Sequence, residues 1–137
     1  MNFVVDASSL AALFLPDEDS SLVEHYLNQA EAVAAPKLAI VETAAAFFRR
    51  TRKGSLTLPQ AQAAADSWKK TIASGGINFY EDAEVLSEAC TTAGHLQHAL
   101  QDCIYLELAR KLRYTLITGD RVFGKKAVAV YSDIVAI

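Results

Sequence analysis

Two periodicities alternate along this chain: short apolar runs rich in β-branched and aromatic residues recur between longer stretches with helical spacing. FVVD (residues 3–6), VAAP (33–36), GINFY (76–80), YTLIT (114–118) and VAVY (128–131) are bounded by turn signals or charge, which predicts five strands. Helical patterns are predicted at about residues 8–14, 19–31, 37–52, 59–73, 82–93, 101–112 and 120–126. Parallel neighbours need a long crossover, and both faces of their sheet must be covered. The expected fold class is therefore α/β, a three-layer α/β/α sandwich around a central, mainly parallel sheet of about five strands. With 137 residues, 52% of them hydrophobic, a single domain over residues 1–137 can bury a sizeable core.

Local signals support several boundaries. Asp19 and Ser20 are predicted to cap the helix of Leu22, Val23, Tyr26 and Leu27, and Pro59 suits the first turn of the next long helix after a turn at Gly54. Val85, Leu86, Ala89, Cys90 and Ala93 share one helical face, with Gly94 expected at C′.

Four acids stand at the edges of apolar runs: Asp6 in FVVDASSL, Glu42 in LAIVETAAAFF, Asp102 in ALQDCIYLELA and Asp120 in YTLITGD. An acid in core-forming sequence is desolvated unless something compensates it. Asp6 and Asp120 follow predicted strands, and ligand crevices in open α/β sheets lie beyond the carboxyl ends of strands. If the first and fourth strands are neighbours, those two acids share one crevice, with the first turn of the Asp102 helix overhanging it. Two carboxylates about 5 Å apart repel by roughly 3 kcal/mol at an effective dielectric of about 20. Hard oxygen donors without His or Cys among them favour Mg²⁺ or Mn²⁺, ions that activate water for in-line phosphodiester displacement.

Composition removes other classes. Lys plus Arg number 13 against 16 Asp plus Glu, a net charge of −3, so an anionic partner must be met locally. Local charge is available in Arg49, Arg50, Arg52 and Lys53 and in Arg121, Lys125 and Lys126, with Arg121 and Arg49 as candidate contacts to nucleic-acid phosphates. Arg110, Lys111 and Arg113 are read as cations favoured at a helix C-terminus. The two cysteines, Cys90 and Cys103, form no paired metal spacing or disulfide scaffold. Neither a secretory signal nor a membrane span is read, which leads to the expectation of a cytoplasmic protein. His25, His95 and His98 are read as surface or loop histidines, the last two with the option of facing a dimer or substrate, and Trp68 as packing or lining a partner groove.

FVVDASSLAALFL, the Glu42 helix after a Pro36 turn, QDCIYLELARKL and the strand ending in TGD together resemble a PIN-domain ribonuclease, most closely the VapC-like toxins of type II toxin–antitoxin pairs. The resemblance covers nearly the whole chain in the expected order. It implies an endoribonuclease whose Asp6, Glu42, Asp102 and Asp120 are catalytic and bind Mg²⁺ or Mn²⁺, with Ser8 and Thr118 as supporting or water-positioning hydroxyls. It also implies a homodimer and a small antitoxin whose C-terminal segment enters the groove. Two departures stand: residues 94–101 before Asp102 form a slightly long segment, and no further acid closely follows Asp120.

Each acid taken alone also has a structural reading, since Asp6 and Asp102 can cap helices and Asp120 can serve a turn. Glu42 resists that reading because its neighbours Ile40, Val41, Ala44, Ala45 and Phe47 form an apolar stripe. A haloacid-dehalogenase-like phosphatase would use Asp6 as nucleophile and Asp120 as metal ligand, but wants a second acid where Ser8 stands. A non-catalytic scaffold of the same fold is the other alternative.

Overall fold

The computed structural model describes residues 1–137. Strand β1 (Asn2–Val5) occupies the centre, and Phe3, Val4 and Val5 are fully buried, as they must be in a strand covered on both faces. Helices α1 (Ala7–Ala12) and α2 (Ser21–Leu27) lead to β2 (Ala32–Pro36), and α3 (Leu38–Arg52) and α4 (Leu58–Ser74) lead to β3 (Asn78–Tyr80). A 3₁₀ turn (Asp82–Glu84), α5 (Leu86–Leu96) and α6 (Leu100–Leu112) return the chain to β4 (Thr115–Thr118), and α7 (Arg121–Ala127) precedes β5 (Ile134–Ala136). The strand order is β3-β2-β1-β4-β5 and every pairing is parallel. The sandwich is the expected one, with a sheet that is parallel throughout.

The order reverses between β1 and β4, and this switch point fixes where a ligand crevice opens. Val5 stands opposite Ile117, and the Asp6 N–H extends the ladder by donating to the Ile117 carbonyl at 3.0 Å. Asp6 and the Thr118-Gly119-Asp120 exit therefore leave the sheet side by side.

Helix ends are set by both local and remote groups. Thr57 and Gln60 form a reciprocal capping box at α4, with Pro59 in its first turn. The start of α3 has no side-chain cap of its own, and Asp82, far away in sequence, accepts the Leu38 N–H at 3.1 Å instead. Asp19 accepts both the Ser21 N–H and hydroxyl, whereas Ser20 makes no side-chain cap bond. Trp68 belongs to the core, donating from Nε1 to the Ile40 carbonyl at 3.0 Å and meeting Phe14 and Phe79 edge to face.

Three boundary expectations are corrected. VAVY is not a strand: Val128 caps α7, and the Val130 and Tyr131 N–H groups turn back onto the Ala127 carbonyl at 3.0 and 2.9 Å. Its apolar residues looked strand-like, yet the sheet edge is filled by Ile134–Ala136 instead. Gly94 does not end its helix, because α5 runs two residues further and exits through Gln97 in the left-handed region at φ 52°. The stretch from 82 begins as a 3₁₀ turn rather than an α-helix, with Val85 at the junction.

Candidate metal centre

Asp6 is the most enclosed of the four acids, 8% exposed, and every donor around it comes from a strand exit or a helix start. As N-cap of α1 it accepts the Ser9 N–H at 2.9 Å and the Ser8 hydroxyl at 3.0 Å on Oδ1. Its Oδ2 accepts the Thr118 hydroxyl at 2.7 Å and the Gly119 N–H at 3.1 Å. Thr118 also accepts the Asp120 N–H at 3.0 Å, so one buried hydroxyl ties the two strand-end acids together. Gly119 fits here because a Cβ would lie 2.5 Å from the Ser8 Oγ.

Asp120 caps α7 through the Phe123 N–H at 2.9 Å. Both Asp6 and Asp120 are thus helix caps, and both still line the open cleft. The cap reading of Asp6 is correct without excluding a site, whereas Asp120, read as a turn residue, is instead the N-cap of α7. Asp102 stands in the first turn of α6 and is met by His98 Nε2 at 2.7 Å. Glu42 reaches the same cleft from α3 and accepts the Tyr105 hydroxyl at 2.8 Å.

The cleft has a volume of about 400 Å³, with Asp6, Glu42, Asp102 and Asp120 all on its walls. Ser8 and Tyr105 join them, and Arg49, Arg50 and Lys53 form a basic rim. Arg50 is committed to Asp17 and Glu18, which leaves Arg49 and Lys53 as the rim cations without an ion pair. Arg121 is exposed and is not among the residues that line this cleft, so the cleft's basic rim is formed without it. The stripe around Glu42 is also less buried than its composition suggests. Val41 is 72% exposed, and the helix is anchored by Ala39, Thr43 and Phe47 instead.

Burial is the first cause that raises the carboxyl pKa of Glu42, and Asp102 and Asp6 add to it, opposed by the Tyr105 hydrogen bond and Arg49. Asp102 is raised in the same way, by burial first and then by Asp120 and Asp6, against the stabilising contact of His98. In both, burial is the larger cause and the neighbouring carboxylates the smaller one, so the charged forms are disfavoured where the acids converge. A divalent cation is the group this donor set fits, since it would relieve repulsion that the nearby cations leave in place.

Two residues that touch the acids are not among the predicted site residues: His98, read as a surface or loop histidine with the option of facing a substrate, and Tyr105, which is not singled out. His98 is only 14% exposed at its side chain, stacks on Phe123 with ring centroids 4.6 Å apart, and lies 3.9 Å from Asp120 as well as against Asp102. It is neither a free surface histidine nor part of a regular helix. The long segment before Asp102 is explained by it: α5 is extended, Gln97 reverses the chain, and the turn brings His98 against Asp102 and near Asp120. Its spacing of four from Asp102 was the available signal. Tyr105, three residues after Asp102 and hence on the same helical face, was the other.

A family model described as PIN domain matches residues 3–129. The chain belongs to the PIN domain family. This PIN domain is 33% identical over 132 residues to Ribonuclease VapC3 of Pyrobaculum aerophilum, covering 95% of this chain and 98% of the relative. The crystal structure of PAE2754 from the same organism superposes with a TM-score of 0.73 at 23% identity, over 99% of this chain and 89% of that one. A toxin–antitoxin complex from Klebsiella pneumoniae gives a TM-score of 0.63 at 17% identity, over 97% and 95% of the two chains. No helix of this PIN domain is long and apolar enough to cross a membrane.

Proposed function

We propose that this PIN domain is a metal-dependent endoribonuclease and the toxin of a toxin–antitoxin pair, acting as a homodimer and held in check by a small antitoxin. The observation that carries the catalytic part is the convergence of Asp6, Glu42, Asp102 and Asp120 on one cleft at the switch point of the sheet. RNA as substrate draws support from the relative named a ribonuclease, and the toxin role from the similarity to a chain of a toxin–antitoxin complex.

In this reading the four carboxylates hold Mg²⁺ or Mn²⁺. The ion, when bound, supplies Lewis acidity, activating water and stabilising charge on the phosphodiester oxygens. The protein's part is positioning. Thr118 and Gly119 fix Asp6, Tyr105 fixes Glu42, and Ser8 faces the cleft with a hydroxyl that can turn from Asp6 toward water. Arg49 and Lys53 receive the RNA backbone at the rim.

The phosphatase alternative wants a second acid where Ser8 stands and would use only Asp6 and Asp120, leaving Glu42 and Asp102 on the walls of the same cleft without a role. The test is cleavage of RNA by the purified protein with Mg²⁺ or Mn²⁺, against chelated protein and Asp6→Asn. Cleavage that depends on the ion and is lost in the variant supports the nuclease, whereas equal cleavage by the variant removes the catalytic assignment. A non-catalytic scaffold would bind the ion and cleave nothing.

A further inference from the structure

Two of the acids on the cleft, Asp102 and Asp120, have a nitrogen donor beside them. Nε2 of His98 and one carboxylate oxygen each from Asp102 and Asp120 all lie within 4.8 Å of one another, a spread that three ligands of one ion can occupy. These atoms come from three separate places: the α5–α6 turn, the first turn of α6 and the N-cap of α7. The imidazole is held rather than free, because Phe123 covers its ring and the left-handed Gln97 fixes the turn that carries it.

We propose that His98 is a nitrogen ligand of the divalent ion, together with Asp102 and Asp120, and that it biases the centre toward a first-row transition ion over Mg²⁺. The inference rests on the reading of the cleft as a metal centre. Mg²⁺ prefers oxygen and retains its waters, whereas imidazole nitrogen suits Fe²⁺, Ni²⁺ and Zn²⁺, and affinity for a mixed nitrogen–oxygen site rises along the first-row series from Mn²⁺ onward. One nitrogen among carboxylates therefore changes selectivity more than it changes the charge of the site.

The arrangement permits this ligation with a small adjustment. Without an ion, His98 Nε2 is hydrogen-bonded to Asp102 Oδ2 at 2.7 Å. Once Nε2 serves as ligand, the ring hydrogen resides on Nδ1. Lys126 Nζ, 3.4 Å from Nδ1, must then relinquish that contact, and it already has the Gln97 carbonyl at 3.4 Å as its other partner. Lys126 is exposed, so nothing pins it in place.

The experiment loads the full chain with Mn²⁺ and records electron spin-echo modulation for imidazole nitrogen, with calorimetric titrations of Mn²⁺ and Mg²⁺ alongside. The expected result is a directly coordinated nitrogen in the native protein, absent from both His98→Asn and His98→Gln. Mn²⁺ affinity should fall roughly tenfold in these variants, while Mg²⁺ affinity changes by less than about threefold. His98→Gln keeps an amide donor for Asp102 and so guards against a general loss of the turn. Native protein without nitrogen coupling, or variants that lose both ions equally, would overturn the proposal and leave His98 as a positioning residue for Asp102. Nitrogen coupling in a protein that fails to cleave RNA would instead count against the nuclease alone.

Discussion

Thr118 donates its hydroxyl to Asp6 Oδ2 at 2.7 Å and accepts the Asp120 backbone N–H at 3.0 Å on the same oxygen. The two acids that leave adjacent parallel strands are thereby locked through one side chain that is itself 1% exposed.

Replacing that hydroxyl with a methyl tests the coupling. Thr118→Val keeps the shape but leaves the Asp120 N–H and Asp6 each short of a partner, a cost of about 1–3 kcal/mol. Urea denaturation should show this loss, and calorimetry a weakened affinity for Mn²⁺. Thr118→Ser should recover most of both. A valine variant with native stability would show that the hydroxyl couples nothing.

Gly119 leaves room for the Ser8 side chain rather than answering a need for an unusual backbone angle. A Cβ there meets the Ser8 Oγ at 2.5 Å, so Gly119→Ala must push aside the Ser8 side chain and disturb the Gly119 N–H bond to Asp6. The expected cost is about 1–3 kcal/mol, with reduced ion affinity. Ser8→Ala in the same chain should restore part of the stability, and strict additivity of the two substitutions in denaturation experiments would rule out the clash as the cause.

The metal-free protein should be weakened by its own site as pH rises. Glu42 and Asp102 both have raised pKa values when folded. Their contribution to stability is therefore complete below the unfolded values of about 4 and is lost as pH rises through the higher folded values. Mn²⁺ should raise the melting temperature strongly at pH 7 and little at pH 4, because the ion needs the charged carboxylates. At pH 7 without metal, Glu42→Gln and Asp102→Asn should each stabilise the chain by an amount on the order of 1 kcal/mol at most, given solvent screening at these half-buried sites. Scanning calorimetry at the two pH values checks both signs.

The rim predicts a difference between cations that are close in composition but not in position. Arg49→Ala and Lys53→Ala should each weaken binding of single-stranded RNA and flatten its salt dependence by roughly 0.7 in log–log slope per lost phosphate contact. Arg121→Ala should change neither, since that side chain lies outside the cleft. Equal effects at Arg49 and Arg121 in filter-binding titrations would mean that RNA takes another route across the surface.

Much of this arrangement was legible in the order of residues. Phe3, Val4 and Val5 announce a strand buried on both faces, and Asp6 directly after them announces its carboxyl end. The same logic reaches Thr118 and Asp120. It fails at VAVY, where four apolar or aromatic residues fit a strand and a helix exit equally well, and only competition for the sheet edge decides in favour of Ile134–Ala136. Nearness in sequence also does not set the rim of the cleft: Arg121 directly follows Asp120, yet the cations that line the cleft are Arg49, Arg50 and Lys53 at the end of α3.

By itself, then, the sequence determined the strand and helix alternation, the parallel sheet it implies and the identity of the four acids, because periodicity, turn residues and desolvated charge are local properties. The tertiary structure alone decided that β1 and β4 are neighbours, that Tyr105 meets Glu42 from a different helix, and that an extended α5 and a left-handed Gln97 bring His98 against Asp102 and near Asp120. Those contacts join residues distant in the chain or placed by a reversal of the backbone, so they depend on which crossovers pack together, a property of the folded molecule that no local pattern encodes.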